Sequence, residues 1–540
     1  MESVDRLSSA MGRSLIHQPC SSFIRHGLAG LALSGLLLAT QLAAAQTGPV
    51  FSPDLPSPLS PVIPSDVDPA LIGTLTKNGE FAQVQRVFDI FSWQQFLAIN
   101  WPTGEQGKPA PHIADLAFGP PAWTRWHESF ELFREDGRPP PSMLTETQAA
   151  RPLRQAVTAR HGVPLGPMAA TSTDRSKRIL SIISATKALT VLDETRQAFT
   201  HPLWDQHGQQ AHYEILMNDT ETQYIVQNQL YNFDGQIAFS NTHNALNMPA
   251  GSFNRPEQPG AIEIKLAWRI LDEAAGDIPQ RYFTTTAMIL NDDGKGWHDA
   301  QVGLVGMHIA HKTGTSPQWS WSTFEHVDNL QVNSLETVQV NGKPQHLRAS
   351  FNNPDCATCL VNSYPPTKDP ATGQLRTQVT RVIPIPPATE QINRQAQALL
   401  RDMGSVWQYY ELINTQWPTD PAAPPTTPGP GTLPGSIDNK SGGKPTPVYL
   451  ANSIMETYFQ QGNQPVGQEE EGGPAVTDHV FATESCMGCH YSAGIASAYT
   501  LGANGVKTAT FNGPTSADFS WTFQQLAHFR TDGTEAKPSP

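Results

Sequence analysis

The sequence predicts an α+β fold with a β-rich antiparallel central domain, flanking helices and a small all-α module at the C-terminal end. Three observations lead to this prediction. Short β-type runs separated by turn residues fill the middle of the chain, helical periodicity occurs on both sides of them, and a proline-rich break begins at Pro418. With 540 residues the chain is long enough for two or three domains.

The N-terminal region has the layout of a secretory signal peptide. Residues 27–43 are mostly apolar, arginines precede them, and consecutive alanines at their end supply the small residues of a cleavage site. We therefore expect residues 1–45 to be removed on export. A membrane anchor is the alternative, but the apolar stretch contains Ser, Thr and Gln and is shorter than the ~20 residues of a spanning helix. Residues 46–70 contain seven prolines and predict an extended leader.

Residues 71–417 are predicted to form one large mixed domain with a β-rich centre. Apolar residues recur at helical spacing over 80–99 and again over 388–415, and a proline follows each segment. The region between them predicts an antiparallel sheet in a sandwich or barrel-like arrangement. Its clearest strands are Tyr213–Met217, Gln223–Val226, Ile262–Leu271, Arg281–Leu290 and Gln301–His311.

Residues 418–447 contain nine prolines and lack apolar periodicity, which indicates a linker or a long surface loop. This is the best candidate for a domain boundary. Residues 448–540 would then form a separate C-terminal module, with predicted helices at 449–461 and 517–529.

The most specific feature of the chain is the pentapeptide Cys486-Met487-Gly488-Cys489-His490. Its Cys-x-x-Cys-His pattern is the signature of covalent c-type haem attachment, in which two thiols bond one porphyrin and the adjacent imidazole binds the iron. The sequence therefore predicts one covalent haem c, bonded to Cys486 and Cys489, with His490 as proximal ligand. A disulfide between the cysteines, or half of a zinc site with His479 and His490 nearby, are the alternatives.

Through this motif the C-terminal module resembles a reduced cytochrome c domain. The resemblance implies attachment of the haem outside the bacterial inner membrane, and hence a periplasmic or secreted protein. In the familiar small cytochromes c a downstream methionine supplies the sixth iron ligand, but no methionine follows Met487 in this sequence. The candidates for a distal ligand are His528, Met455 and His479, and an open sixth position is the further alternative.

Histidines in the predicted sheet are candidates for a pocket. His308 and His311 lie three positions apart on one predicted strand and should face opposite sides, so they make a weak metal pair. His326 is close to three aromatic residues, which makes it a better candidate for the wall of a haem or substrate pocket. The Thr-Phe-Glu-His stretch that ends at His326 is similar to one in large, secreted, uncharacterised bacterial proteins of the cytochrome c family.

A second cysteine pair, Cys356 and Cys359, is followed by Leu360 and therefore lacks a proximal histidine. In an oxidising compartment we expect the pair to form a local disulfide. A labile redox disulfide or a metal pair are the alternatives.

Composition and the absence of several motifs exclude some classes of function. The net charge of −14 makes nucleic acid an improbable partner. No nucleophile elbow, Walker loop, dinucleotide fingerprint or His-Glu-x-x-His motif occurs in the sequence. The sequence thus predicts a periplasmic monohaem c-type cytochrome that transfers electrons to or from a redox partner protein, with no membrane span after signal cleavage. The alternatives are a haem-dependent oxidoreductase of the peroxidase or oxygenase type, with a small-molecule substrate, and a haem-linked sensor.

Overall fold

The structure, a computed structural model, describes residues 59–140, 178–180, 202–290, 297–332, 337–340, 342–356, 359–363, 373–422, 444–445, 450–460, 486–490, 493–503, 505–511 and 516–531. These residues belong to one compact unit, Phe51–Pro540. The predicted signal peptide and most of the predicted leader lie outside the described residues. No helix in the described part of the chain is long and apolar enough to cross a bilayer.

Helices and a large sheet confirm the predicted α+β class. The helices are α1 (Pro69–Lys77), α2 (Phe81–Ile99), α3 (Ser129–Leu132), α4 (Asp219–Gln227), α5 (Phe233–Ser240), α6 (Pro387–Asp402), α7 (Cys486–His490) and α8 (Thr522–Gln525). The strands are β1 (His127–Glu128), β2 (Arg178–Leu180), β3 (His212–Met217), β4 (Ile262–Ile270), β5 (Thr284–Leu290), β6 (Trp297–His311), β7 (Ser320–His326), β8 (Thr337–Val340), β9 (Lys343–His346), β10 (Tyr410–Gln416), β11 (Pro418–Asp420), β12 (Lys444–Pro445), β13 (Ala498–Leu501) and β14 (Lys507–Thr510).

One eight-stranded sheet organises the fold around its longest strand, β6. The order β1-β3-β4-β6 is antiparallel throughout. On the side of β6 away from β4, the first half of β6 pairs with β5 and its second half pairs with β7. Strand β7 in turn pairs with β10. The only parallel pairing among the described strands joins β2 to β5. The three two-stranded sheets are β8-β9, β11-β12 and β13-β14.

One face of the sheet packs against helices α2 and α6. Alternate residues of each strand point to this face because the side-chain period of a strand is two. Phe96 of α2 stacks on Phe324 of β7 with ring centroids 4.1 Å apart. The Asn393 amide of α6 bonds both the Trp93 indole (2.9 Å) and the Leu412 backbone, which connects α2, α6 and β10.

The C-terminal part of the chain covers the opposite face. Met217, Ala310 and Trp321 of the sheet share a buried apolar cluster with Met487, Phe519 and Phe523. A neighbouring cluster joins Tyr213 and Ala267 to Ile454, Met455 and Tyr458. Described residues on both sides of segment 418–447 therefore pack together. Most of that segment lies outside the described residues, so its linker or loop character stays a prediction.

Two predicted elements in the large domain differ from the structure. Gln223–Val226, predicted as a strand, belongs to helix α4, which Asn218 caps by accepting from the Glu221 N–H. The helix predicted over 388–415 ends at Asp402, because Gly404 takes a left-handed φ of 68° and β10 follows from Tyr410.

The predicted all-α character of residues 448–540 is wrong for their described part, which contains the hairpin β13-β14. The helix predicted at 449–461 is reduced to one 3₁₀ turn at Thr457–Phe459. The last predicted helix, 517–529, shortens to α8 because Asp518 and Phe519 have φ values of 51° and 69°, which a right-handed helix does not allow.

Candidate functional site

The Cys-x-x-Cys-His motif forms the one-turn helix α7 and lies over the face of the sheet opposite α2 and α6. Hydrogen bonds fix it at both ends. The Met487 N–H donates to the Gln416 side chain at 2.7 Å, and the Trp521 indole donates to the Cys489 carbonyl at 3.2 Å. Met487 is buried in the apolar cluster beside Cys486. The motif is therefore held between the sheet and the last segment of the chain.

The His490 ring is oriented by two contacts. Its Nδ1 lies 2.7 Å from the Phe519 carbonyl oxygen, and its ring lies 4.6 Å from the Trp321 ring at a tilt of 52°. Burial lowers the pKa of His490 to about 4, so the imidazole is neutral at physiological pH. Because a carbonyl oxygen only accepts, Nδ1 carries the proton, and Nε2 is left with the lone pair that a metal ligand needs.

Cys486 and Cys489 lie three residues apart on one helical turn, so their thiols emerge on the same side of α7. Both are unbonded thiols in the structure rather than a disulfide. Burial, with a further contribution from the charge of Glu456, raises the pKa of Cys489 to about 12, and Cys486 is shifted in the same direction. Both groups are therefore protonated at neutral pH, unlike the thiolates of a nucleophilic site.

A cross-strand row of the sheet that is polar except for Ile215 lies near the motif. The pairing of strands places Ile215, Lys265, His308 and Thr323 side by side across β3, β4, β6 and β7. The His308 Nε2 lies 2.8 Å from the Glu456 carboxylate. His308 Nδ1 is buried without a hydrogen-bond partner in the described part of the molecule.

Lys265 and Glu456 influence the motif through their charges. Burial lowers the pKa of Lys265, against the opposing effect of Glu456 and Cys489. Burial alone would raise the pKa of Glu456, but His308, Lys265 and the Asn452 N–H outweigh it and lower the pKa. Lys265 and Glu456 thus lie close enough for their charges to act on both Cys489 and His490.

The other candidate residues are dispersed. His311 faces the opposite side of the sheet from His308, as the spacing predicts, and contacts Gln95 and the Pro259 carbonyl. His326 stacks on Tyr282 with ring centroids 4.0 Å apart and bonds the Arg281 carbonyl. These contacts make His326 part of the packing near β5 and β10 rather than a partner of α7.

The structure gives no evidence that any of the three proposed distal ligands binds iron. Met455 is fully buried in the apolar cluster of Tyr213 and Ala267. His528 follows α8 in irregular structure, and its carbonyl accepts from the Phe233 N–H. His479 lies outside the described residues.

Cys356 and Cys359 form a disulfide bond in the structure, which agrees with the predicted local bridge. Among the described side chains, no group of three or more His, Cys, Asp and Glu is placed to hold a metal ion.

Sequence reasoning missed Lys265, Glu263, Glu221 and Glu456. The alternation Ile262-Glu263-Ile264-Lys265-Leu266 does signal a strand with one polar face. It gives no sign that this face is covered by the C-terminal segment.

No protein-family model matches the sequence, and no curated protein and no solved structure matches it. Statements about function therefore depend on the residues of this chain.

Proposed function

We propose that this chain is an exported monohaem c-type protein that transfers electrons in the periplasm. One haem c would be bonded covalently to Cys486 and Cys489, with His490 as the proximal ligand of its iron. The observation that carries the proposal is the orientation of His490 within the Cys-x-x-Cys-His motif. Its Nδ1 is engaged by the Phe519 carbonyl at 2.7 Å, which leaves Nε2 as the ligating nitrogen.

The state of the two thiols fits the attachment chemistry. Each thioether forms when the S–H of one cysteine adds across one vinyl group, so that the sulfur and the proton both end on vinyl carbons. The addition consumes no oxidant and needs reduced cysteines. Cys486 and Cys489 are unbonded, are protonated at neutral pH and project from one side of a single turn.

Electron transfer is the activity that the fixed proximal side favours. The bound haem would supply one-electron chemistry at its iron. Trp321 and the Phe519 carbonyl hold the His490 ring on two sides, which limits its movement on a change of oxidation state. The electron donor or acceptor would be a redox partner protein in the same compartment.

A haem-dependent oxidoreductase is the second candidate, because ionisable groups lie beside the motif. Lys265, His308 and Glu456 form a polar group under α7, and a carrier does not need such groups. In this function His308, held by Glu456 at 2.8 Å, would accept or donate the proton that a small-molecule substrate exchanges.

Covalent attachment is tested by expression of the full chain in a host with a cytochrome c maturation system. The wild-type protein should keep its haem in acidified organic solvent, and the exported chain should have lost residues 1–45 by mass. The Cys486→Ala/Cys489→Ala double variant should release the pigment. Cys356→Ala is the matched control and should retain it, because Cys356 belongs to the separate disulfide. A colourless wild-type protein, or equal extraction from all variants, would contradict the proposal.

Carbon monoxide separates the two functions. An electron carrier with two protein ligands on iron should bind carbon monoxide slowly or not at all in the ferrous state. Rapid binding, monitored by stopped-flow absorption, would favour the oxidoreductase. His308→Gln should then change the rate of peroxide or oxygen turnover while the covalent attachment of haem remains intact.

A further inference from the structure

Two glutamates meet beneath the C-terminal segment. Glu221, on helix α4, is fully buried, and neither of its carboxylate oxygens has a hydrogen-bond donor among the described groups. Glu263, on strand β4, is partly buried and accepts a hydrogen bond from the Ser520 hydroxyl at 2.8 Å. Helix α4 packs on strand β4, and the two carboxyl groups interact directly with each other. We call Glu221 and Glu263 the carboxyl pair.

A contact between two carboxyl groups is favourable only when one of them carries a proton. Two carboxylates can only repel each other, whereas a carboxylic acid donates one hydrogen bond to a carboxylate. Aspartic proteases use the same device, in which two adjacent carboxyl groups share one proton. A shared proton would also satisfy a Glu221 oxygen that otherwise lacks a donor.

The bases nearby are shared with other acids. Lys312 is committed to Asp518, with which it forms a buried ion pair, and also donates to Asn247 at 2.9 Å. Lys265 lies two residues from Glu263 on the same face of β4 and also interacts with Glu456. The charged groups that act directly on the pair are Asp518 and Lys265. Lys312 and Tyr224 in turn interact with Asp518, and Glu456 and Cys489 interact with Lys265.

The carboxyl pair is connected to the motif by two short paths. Ser520, which donates to Glu263, directly follows Phe519, whose carbonyl bonds the proximal-ligand candidate His490. The register also places Glu263, Ala310 and Trp321 in one row across β4, β6 and β7, and Trp321 contacts the His490 ring. A change of charge at the iron would therefore be felt at the pair.

We infer that the carboxyl pair is a redox-linked proton site, which holds one proton between Glu221 and Glu263 and exchanges it with solvent as the oxidation state of the haem changes. This inference rests on the proposed function. When one electron enters from the redox partner, the pair takes up one proton from solvent. When the electron leaves, the pair releases that proton. Electron and proton thus move together, and the charge of the interior stays constant.

The proton itself is tested by infrared spectroscopy of the purified full chain, both without haem and with reduced haem. A shared proton gives the C=O stretching band of a carboxylic acid at neutral pH, and the band should shift in D₂O. The band should lose intensity in Glu221→Gln/Glu263→Gln, in which other buried acids such as Asp89 and Glu411 still contribute. It should keep its intensity in Glu257→Gln, which changes an exposed carboxyl in the loop before β4. A band of the same strength in wild type and double variant would overturn the inference.

The coupling is tested by the midpoint potential as a function of pH. In the wild-type protein the potential should fall by up to about 59 mV per pH unit near neutrality, the value for one proton taken up with one electron. Glu221→Gln/Glu263→Gln should flatten this slope, and Glu257→Gln should not. Equal slopes in the wild type and the double variant would overturn the inference, even with haem covalently attached. Failure of haem attachment would instead overturn the proposed function and leave the infrared result to decide on the proton.

Discussion

Replacement of Glu263 by glutamine should make the stability of the protein less sensitive to pH. Burial raises the pKa of Glu263 to about 7 from an ordinary value of 4.5. A group whose pKa is raised on folding stabilises the folded state below its unfolded pKa, and this stability is lost as the pH rises through the folded pKa. The contribution of Glu263 should therefore disappear between about pH 4 and about pH 8.

The magnitude follows from the two pKa values. One pKa unit corresponds to about 1.4 kcal/mol, so the free energy of unfolding should fall by up to about 3 kcal/mol over this pH range because of Glu263. Solvent screening at the partly exposed side chain reduces this figure. The glutamine of the variant does not titrate, and its amide can donate to Glu221. The free energy of unfolding of the variant minus that of the wild type should thus increase with pH.

Denaturant titration followed by tryptophan fluorescence at several pH values measures this difference. Other buried groups, such as Asp89 with a pKa of about 6 and His311 with a pKa of about 4, titrate in both proteins. Their contributions to the free energy of unfolding therefore cancel in the difference between variant and wild type. Glu257→Gln, at an exposed position, should give a difference that does not depend on pH. A flat or falling difference for Glu263→Gln would refute the raised pKa, and with it the carboxyl pair as a proton site.

Two further predictions concern the stability of the fold, measured by the same denaturant titration. Arg381→Gln should cost about 3 kcal/mol because it leaves the fully buried carboxylate of Glu325 without its 2.9 Å ion pair, whereas the exposed Arg394→Gln should change stability by about 0.5 kcal/mol or less. Gly235→Ala should cost about 2 kcal/mol because its Cβ would collide with a backbone carbonyl oxygen, whereas Gly73→Ala, in open space within α1, should stabilise by about 1 kcal/mol. Equal effects within either pair of variants would contradict these assignments.

The elements that the sequence predicted correctly are those with long, regular patterns. Helix α2 begins one residue from its predicted start and ends at its predicted residue, because its apolar stripe is buried along nearly its whole length. The C-terminal half of this stripe packs with the sheet, and the N-terminal half packs with α1 and Trp417. Strands β3, β4 and β6 follow the predicted runs, since apolar residues of each belong to the buried cluster that also includes α2 and α6.

The errors arose where local conformation or distant contacts decide the structure. The predicted helix over 388–415 continued the apolar spacing past Gly404, where a positive φ stops the helix, and residues 410–416 then pair with β7. The pattern of Gln223–Val226 is short enough to fit either a strand or a helix, and the Asn218 cap selects the helix. Phe519 has a positive φ, which is rare for a large aromatic residue, so residue-type preferences did not predict the end of the helix there.

At the candidate site the sequence identified the residues that share one short motif and missed those that the fold brings to it. Cys486, Cys489 and His490 can be read from five consecutive letters. Lys265 and Glu456 are separated from them by long stretches of chain, and polar residues that alternate in a strand ordinarily face solvent. Only the position of the C-terminal segment over the sheet makes them neighbours of the thiols.

The energetic cost of burying Glu221 beside Glu263 favours a functional explanation for their presence. A fully buried carboxyl without a donor destabilises a fold, and an apolar side chain of similar size in place of Glu221 would remove that penalty. Glu221 nevertheless interacts with a second carboxyl, Glu263, which accepts from Ser520, the residue after the one whose carbonyl orients His490. The stability of the fold gives no reason for placing two acids in contact at that position. A site that must accept and release a proton beside a redox centre does give one, because the same repulsion that destabilises the two carboxylates makes their shared proton available near neutral pH.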